Sequence, residues 1–393
     1  MQPSRRSSAE VVLAYAFDSS AFTATEAIGA TGLTRSTVLA ACGELVQLGW
    51  LRALDDARAA GEYHKGRPAR RYALDDRAGV VVGVDAGQHR VSVAVADLRG
   101  TVVGRAVTSL GETGLDVDVR LGAVRDAVAS AVADAGVDPD RVLVVVVGIP
   151  APVDGRGVSP RDGGYWDRMN PGFASLAGSG RVVVENDANL AALAERPSSG
   201  DASFAALLSG ERFGAGIVVD GFLLRGPRGG AGEMRVLDLV DGVGSPEGIG
   251  ATARLLVAEA AERVPAGSLL AGRNGSERLF EAAALGDPVA VEVVDRLGDR
   301  LARVSVLLAS LLDIDRVVVA GAIADAVGPV LERARVHLAG WDYDPVPELV
   351  ASRLGADVVV LGAVARALDE VRSEPLALSL PVPPVVSVPL AAG

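Results

Sequence analysis

The stretch Val182-Val-Val-Glu-Asn-Asp-Ala-Asn-Leu-Ala-Ala-Leu-Ala-Glu195 is the best guide to the architecture of this 393-residue chain. Its three valines predict the end of a buried strand, and its alanines and leucines predict a helix. Between them lies the polar corner Glu185-Asn186-Asp187. Such a corner is where an α/β sheet presents side chains to a ligand. Alternatively, Asn186 or Asp187 only caps the helix, and these residues alone leave both interpretations open.

Composition narrows the class of protein. Nearly half of the residues are apolar (49%), enough for a sizeable core and for two or three domains. No apolar run reaches the roughly 18 residues of a membrane-spanning helix, so we expect no membrane partner. The single cysteine, Cys42, excludes a disulfide framework within the chain and predicts a cytoplasmic location.

Charge is spread unevenly along the chain. The net charge is −12, but the first 79 residues are close to neutral and the remainder carries the excess of acid. An acidic body is repelled by nucleic acid, so only the N-terminal part could approach it.

Residues 8–50 predict three short helices. Thr23 and Glu26 form a capping box, and a glycine lies in the turn Gly29–Leu33 before a helix capped by Thr34. A helix, a glycine-containing turn and a second helix are the helix-turn-helix pattern. The second helix is predicted to bury Val38, Cys42, Leu45 and Leu48 and to stop at Gly49. Its exposed first turn, where base edges are normally contacted, carries Arg35, Ser36 and Thr37.

A basic hairpin is predicted after the helices. Trp50–Arg52 and Tyr72–Leu74 read as two strands, and the segment between them is strongly basic. Such a tip can enter a minor groove or follow phosphates, as the wing of a winged helix-turn-helix does. The alternative is a solvated loop or a protein-docking module. The predicted DNA-contacting residues of the wing are Lys65, Arg67, Arg70 and Arg71.

Two similar α/β halves follow the head. We divide the chain into a winged helix-turn-helix domain (1–76), a two-lobed body (77–370, with a cleft near 185–250) and a Pro-rich tail (371–393) that is extended unless a groove receives it. Two βββαβ-type halves around a cleft describe the actin-like, sugar-kinase architecture. The expected strands are Val80–Asp85, Val91–Asp97, Val102–Val107, Val142–Val147, Phe204–Leu208, Gly216–Val219, Phe222–Leu224 and Arg316–Val319. The expected helices are Val119–Ala135 and the long helices 285–311, and a last strand and helix are expected at Val358–Leu368.

Six motifs follow one another along the body: Val84-Asp85-Ala-Gly87, Gly148-Ile-Pro150, Glu185-Asn-Asp-Ala-Asn189, Gly214-Ala-Gly216, Ala231-Gly-Glu233 and Gly244-Ser-Pro-Glu247. With these motifs in this order, the chain resembles the ROK family (repressors, open reading frames and kinases) from about residue 8 to residue 370.

The resemblance implies roles for four polar residues. Asp187 would match the general base that takes a proton from a sugar hydroxyl, a role that needs a carboxylate within hydrogen-bond reach. Asn186, Glu233 and Glu247 would match residues that hydrogen-bond sugar hydroxyls, contacts that discriminate well between sugars. The alternative for Glu233 and Glu247 is an ordinary acidic surface loop.

Both phosphate loops depart from the pattern of the family's kinases. The first, Asp-x-Gly-Gly-Thr in kinases, reads Asp85-Ala-Gly87-Gln88-His89, and these larger side chains should crowd a phosphate. The second, Gly-Thr-Gly, reads Gly210-Glu211-Arg212. A carboxylate about 4 Å from a phosphate charge costs about 4 kcal/mol at an effective dielectric of 20, unless Glu211 turns into solvent or Arg212 compensates. We therefore expect no ATP cofactor and no kinase activity, so that Asp187 is a relic.

The family's zinc site is also absent from the sequence. Val236, Asp238, Val240 and Ser245 take the positions of the family's histidine and three cysteines. Zinc needs about four nitrogen or sulfur ligands, and the whole chain has three histidines and one cysteine. We expect no metal.

The sequence thus predicts a transcription regulator of carbohydrate metabolism, most simply a repressor. Its partners would be double-stranded operator DNA and a sugar or sugar-derivative effector, and family habit suggests a homodimer or homotetramer. The alternatives are a ligand-blind regulator, in which the body serves only for dimerisation, and an ATP-dependent sugar kinase with an added head.

Overall fold

The computed structural model describes residues 6–54, 70–161, 163–176, 180–200, 202–272, 275–378 and 380. Within these ranges an N-terminal head precedes two α/β lobes, each built around a five-stranded mixed sheet. No helix in the described part of the chain is both long and apolar enough to cross a bilayer.

The head combines three helices with a small antiparallel sheet of order β1-β3-β2. The predicted capping box is confirmed, because the Glu26 amide donates to Thr23 Oγ1 at 3.3 Å and the Thr23 amide to Glu26 Oε2 at 2.6 Å. Thr34 caps the third helix as predicted. The head elements are α1 (Ser8–Asp18), β1 (Phe22–Thr23), α2 (Ala24–Thr31), α3 (Arg35–Gln47), β2 (Leu51–Leu54) and β3 (Arg71–Leu74).

Two details of the head differ from the sequence prediction. Strand β1 was not predicted, because two residues are too short to show any alternation. Leu48 is 46% exposed rather than buried, since α3 ends at Gln47 and Leu48 follows as its C-cap. Lys65 and Arg67 of the predicted wing tip lie outside the described residues, whereas Arg70 and Arg71 lie at the start of the returning strand.

Lobe one contains a sheet of order β6-β5-β4-β7-β8. Strand β8 is an edge strand, so its valines are only half-buried and the prediction of a buried strand was wrong there. Its elements are β4 (Val80–Ala86), β5 (Arg90–Asp97), β6 (Val102–Ser109), α4 (Val117–Asp134), β7 (Val142–Ile149), α5 (Tyr165–Met169), β8 (Arg181–Asn186) and α6 (Asp187–Ser199).

Lobe two repeats this plan with the order β11-β10-β9-β12-β13. The elements are β9 (Phe204–Ser209), β10 (Phe213–Val219), β11 (Phe222–Leu224), α7 (Ile249–Glu259), α8 (Leu279–Ala284), α9 (Pro288–Leu312), β12 (Arg316–Ala320), α10 (Gly328–Ala339), β13 (Glu348–Ala351) and α11 (Val358–Ser373).

The strand–helix predicted at Val358–Leu368 was wrong. This segment lies wholly within α11, and the last strand is β13. The three consecutive valines that open α11 suggested a strand, but burial against neighbouring elements overrides their β propensity. The long helices predicted at 285–311 are a single helix of 25 residues, α9, and the shorter α8 before it ends at Ala284, ahead of a turn at Gly286.

Helices α6 and α11 lie side by side between the two sheets. Helix α11 packs on β4 and β7 of lobe one, and α6 packs on β9 and β10 of lobe two. Their backbones approach closely: a Cβ at Gly362 would lie 1.9 Å from the Leu190 carbonyl oxygen. Only glycine fits this position, so the two helix backbones come into direct contact there.

The head is fastened to the body at the end of α1. Arg99, in the turn between β5 and β6, donates to the carbonyl oxygens of Phe17 at 2.7 Å and Ser19 at 2.6 Å. Such carbonyls at a helix end lack partners within the helix. The Arg372 guanidinium, at the end of α11, lies 5.4 Å from the centre of the Phe17 ring and 3.8 Å from the Asp18 carboxylate. Head, lobe one and α11 therefore form one docked unit.

The beginning of the Pro-rich tail belongs to the same unit. Pro375–Ala377 form one 3-10 turn, and Pro375 is buried. Leu376, Leu378 and Leu380 pack against a hydrophobic cluster that includes Leu13 and Leu45 of the head. The described start of the tail is therefore packed, and residues 381–393 lie outside the described part of the chain.

Replacing Arg99 by alanine should loosen the head without unfolding the body. It removes two hydrogen bonds from a charged donor, each worth about 1.5–3 kcal/mol. We expect faster amide hydrogen exchange at the C-terminal turn of α1, with exchange in α11 unchanged. Arg125→Ala is the matched control, because Arg125 is 71% exposed and pairs with its neighbour Asp126 on the surface of lobe one. Equal exchange in both variants would contradict this docking role.

Candidate functional site

A cavity of about 340 Å³ lies between the lobes, at the carboxyl ends of β4, β8, β9 and β12. Its size suits a small molecule, and strand ends of this kind are the usual ligand site of α/β folds. It brings together these predicted site residues: Asp85, Gly87, Gln88, His89, Asn186, Asp187, Gly210, Glu211, Arg212 and Glu233.

Glu247 does not line this cavity. Its backbone forms a bridge to Arg212, the residue before β10. One of its carboxylate oxygens is buried and has no hydrogen-bond partner among the described residues. Of the four predicted sugar-binding residues, the structure thus brings together Asn186, Asp187 and Glu233 and leaves Glu247 behind the cavity wall.

Asn186 both caps helix α6 and lines the cavity, so the two interpretations of the polar corner hold together. Its Oδ1 accepts from the Asn189 amide at 3.0 Å, which is the helix-capping contact, and its Nδ2 donates to the Ala151 carbonyl at 3.1 Å. Both ends of the side chain therefore hold the corner in shape. Asp187, the first residue of α6, is thereby fixed at the cavity wall.

Glu185 organises the corner from behind, a role the sequence did not reveal. It is buried, and it accepts from the Asn186 amide at 3.1 Å and from Asn189 Nδ2 at 2.9 Å. Its other oxygen pairs with Arg225 Nε at 2.9 Å, and Arg225 belongs to lobe two. This ion pair links the corner of lobe one to the facing lobe. A carboxylate at the end of an apolar strand was the available signal.

Two carboxyl groups in the cleft hold their protons strongly. Burial raises the pKa of Asp187 to about 8, helped by the negative charges of Asp85 and Glu233, although a hydrogen bond from the Ala188 amide opposes the shift. Burial also raises the pKa of Asp85 to about 7, against the effect of the Arg90 and Arg120 charges. At neutral pH Asp187 is therefore mostly protonated and a poor proton acceptor.

The first loop is clamped by Arg120, which the sequence reasoning missed. This side chain of α4 is fully buried, and it donates to the Gly87 carbonyl at 2.8 Å, to the Met169 carbonyl at 3.3 Å and to the Ala86 carbonyl. Burial lowers the pKa of Arg120 to about 10. An arginine on a helix normally suggests a solvated face, so the sequence carried no signal for this contact. The clamp holds the loop from behind.

The second loop carries less unbalanced negative charge than its sequence suggests. Arg254 Nη2, from α7, contacts the two carboxylate oxygens of Glu211 at 2.6 and 2.7 Å. Repulsion between Glu211 and a bound phosphate would therefore be smaller than for an unpaired carboxylate.

Two arginines of lobe two reach across the mouth of the cleft to aromatic rings of lobe one. The Arg212 guanidinium lies 5.7 Å from the centre of the Tyr165 ring, and that of Arg235 lies 4.5 Å from the Trp166 ring. All four residues line the cavity. Of these four residues, the sequence pointed only to Arg212. Tyr165 and Trp166 lie on α5, which is too short to show a helical pattern.

The described residues do not support a metal centre. No group of three His, Cys, Asp or Glu side chains within the described ranges could hold a metal ion. The four positions that the resemblance matched to the zinc ligands hold Val236, Asp238, Val240 and Ser245, and this donor set does not fit zinc.

Comparison with known proteins identifies the body. The model of the ROK family matches residues 81–370. The chain belongs to the ROK family. A curated relative, the bifunctional enzyme NanE/NanK of Brucella suis, is 31% identical over 219 residues, which are 51% of this chain and 40% of that enzyme. The chain therefore spans less than half the length of this relative.

Two solved ROK structures share the fold. A ROK family glucokinase from Streptomyces griseus, in complex with glucose and AMPPNP, superposes with a TM-score of 0.60 at 27% identity, covering 74% of this chain and all of that one. A ROK family transcriptional regulator, described as a homologue of the Escherichia coli MLC protein, gives a TM-score of 0.70 at 19% identity, covering 94% and 98%. The second comparison extends over most of the chain and shows the fold alone.

The raised pKa of Asp187 makes stability depend on pH. An unfolded aspartate loses its proton near 3.8, whereas folded Asp187 keeps it to about 8. Between these values the folded chain binds the extra proton, so stability falls as pH rises. Asp187→Asn should remove this loss. Between about pH 4 and about pH 8, the midpoint of thermal unfolding of the variant should therefore rise relative to that of the wild type.

The control for this prediction is Asp126→Asn, because Asp126 is 75% exposed. Its midpoint difference from the wild type should stay constant with pH. A constant difference for Asp187→Asn as well would mean that Asp187 titrates normally.

Proposed function

We propose that this protein is a DNA-binding transcription regulator whose kinase-like body binds a sugar or sugar derivative and has no kinase activity. The head would be a winged helix-turn-helix, and the effector would occupy the cleft beside Asp187 and Glu233. The observation that carries the proposal is the docked three-helix head, which leaves the first turn of α3 open to a partner.

The head supports DNA binding by its exposed polar turn. Arg35 and Ser36 are exposed at the start of α3, and Thr37 is half-buried beside the capping Thr34. In helix-turn-helix proteins the N-terminal residues of the second helix contact base edges. Arg70 and Arg71, at the start of β3, would add phosphate contacts next to the wing. The solved ROK regulator, which aligns with 94% of the chain, is consistent with this reading.

Helix α11 supplies a direct route from effector to DNA. Val358 and Val359, at its start, line the ligand cavity. Its last turn carries Arg372, which contacts Phe17 and Asp18 of the head. A ligand that favours one closure state of the cleft would therefore bias the position of the head, provided that it binds the two states with different affinity.

DNA recognition can be tested with a site selected from random-sequence duplexes. Arg35→Ala should weaken binding to that site by roughly 1–3 kcal/mol and relax its sequence preference. Arg70→Ala should weaken binding to all sequences and lower the salt slope by about one. Fluorescence anisotropy over a range of salt concentrations measures both effects.

Arg125→Ala serves as the DNA-binding control, because it removes the same charge from the exposed surface of lobe one. Binding by this variant should match the wild type. Failure of the wild type to select any sequence would remove DNA recognition from the proposal.

A sugar kinase is the second candidate function. Two observations favour it: Asp187 lines the cavity, and Arg254 partners the Glu211 charge in the second loop. The crowded first loop, with Gln88 and His89 in place of small residues, argues against it. ATP-dependent phosphorylation of any sugar by the purified protein would establish this candidate in place of the non-catalytic sensor.

Effector binding should appear in thermal unfolding with free sugars, amino sugars and their phosphates, without nucleotide. A ligand at 100 times its dissociation constant adds about 2.7 kcal/mol. The emission of Trp166 should change as well, because Trp166 lines the cavity against Arg235.

Glu233→Gln should lose most of that response, and Glu262→Gln, exposed on the surface of lobe two, should keep it. The absence of any shift across the panel would favour a ligand-blind regulator whose body serves for dimerisation.

A further inference from the structure

Arg300 is a buried cation that the site described so far does not use. It lies on α9 and is 7% exposed. Its Nε donates to the Val243 carbonyl at 2.6 Å, its Nη1 to Thr252 Oγ1 at 2.5 Å, and its Nη2 to the Ser245 carbonyl. The guanidinium also lies 4.8 Å from the centre of the Phe213 ring. Each of its nitrogens thus holds one point of the segment 243–252, which we call the backing segment.

The backing segment supports the second loop of the cleft. The Phe213 amide donates to the Pro246 carbonyl at 2.9 Å, and the Gly248 amide donates to the Glu211 carbonyl at 3.0 Å. The Ala251 amide donates to the Gly210 carbonyl at 3.2 Å. The two segments are in backbone contact, since a Cβ at Gly248 would lie 2.5 Å from the Gly210 carbonyl oxygen. A shift of the backing segment would therefore move the Gly210–Arg212 wall of the cavity.

The charge of Arg300 is balanced locally by backbone oxygens and by Glu247. Among the described residues no carboxylate comes within ion-pair distance of Arg300, so carbonyl and hydroxyl oxygens take up its donors. Burial lowers the pKa of Arg300 to about 10, and the nearby Glu247 charge opposes that shift. The same attraction offsets the burial of the Glu247 oxygen that has no hydrogen-bond partner in the described chain.

We propose that Arg300 is a positioning residue that fixes the backing segment, and through it the Gly210–Arg212 wall of the cleft, without any metal. The segment includes Ser245, one of the positions that the resemblance matched to a zinc-binding cysteine. The residues here do not fit zinc, and a guanidinium with three directed donors performs the cross-linking instead. This role of Arg300 deepens the proposed effector site, and it rests on the proposed function only in assuming a ligand. The positioning of the wall can be tested without a ligand.

The test is amide hydrogen exchange of the full-length protein carrying Arg300→Met. Methionine keeps an apolar stem against Phe213 and removes all donors, so that the acceptors in the backing segment and the Glu247 charge lose their partner. We expect the amides of Gly248 and Ala251 to exchange about tenfold faster or more, as the loss of charge-assisted hydrogen bonds predicts. Exchange in α11 should not change. A merely space-filling role of Arg300 would leave both regions as in the wild type.

Arg296→Met is the matched control. Arg296 lies about one turn earlier on α9, and its guanidinium is 3.5 Å from the exposed Glu259 carboxylate. This variant removes an arginine from the same helix without touching the backing segment, so exchange at Gly248 and Ala251 should stay at the wild-type rate. A rise equal to that in Arg300→Met would assign the effect to α9 as a whole and overturn the proposal.

A milder variant covers the case in which Arg300→Met does not fold. Thr252→Val removes one acceptor of the guanidinium, together with a long 3.4 Å hydrogen bond from Thr252 Oγ1 to the Glu247 carbonyl, and keeps the shape of the side chain. It should give a smaller increase in exchange at the same amides. No increase in this variant, when it is folded, would overturn the proposal.

Metal analysis completes the test. Purified wild-type protein should contain no stoichiometric zinc, and a zinc chelator should leave exchange in the backing segment unchanged. Stoichiometric zinc together with chelator-induced loosening of the segment would overturn the proposal. If no sugar shifts thermal unfolding but Arg300→Met loosens the segment, the proposed effector function fails and the positioning role of Arg300 stands.

Discussion

The backbone contact between α6 and α11 is the constraint on which the rest of the molecule depends. At Gly362 there is no space for any side chain, because a Cβ would meet the Leu190 carbonyl oxygen at 1.9 Å. Helix α6 begins with Asp187 at the cleft, and α11 extends from the cleft wall to the head. Two helices in such contact cannot slide independently, since close-packed interiors transmit small displacements instead of absorbing them. Both helices of this pair thus border the cleft, and α11 also contacts the head.

Local signals in the sequence predicted most elements of the fold. The capping box at Thr23 and the alternation of apolar residues in the lobe strands depend on neighbours in the chain, so they can be read directly. Prediction failed where tertiary contacts decide the conformation. The valines of Val358–Val360 became helical because α11 is buried between elements distant in sequence. Strand β8 proved half-buried because only the assembled sheet determines which strand lies at its edge.

The residues of the candidate site also fall into two groups, those that the sequence predicts and those that only the folded structure reveals. Residues at strand ends, such as Asp85 and Asp187, could be predicted, because the order of strands brings their carboxyl ends to one edge. The arginines that hold the site could not. Arg120 and Arg300 donate mainly to backbone carbonyls, which every residue carries, so no pair of residue types in the sequence announces these contacts. Glu247 matched a family motif, yet its carboxylate faces the interior beside Arg300.

The docking of the head has a consequence for modularity. The helices of the head have their own caps, but their apolar core continues into the body through residues such as Leu98 and Val371. A chimera that joins this head to another body at the short connection before β4 would expose that shared core and leave the α1 carbonyls without Arg99. Exchange of heads between relatives therefore requires that the turn after β5 and the end of α11 be exchanged with them. In this protein the packed structural unit is larger than the N-terminal domain that the sequence pattern suggests.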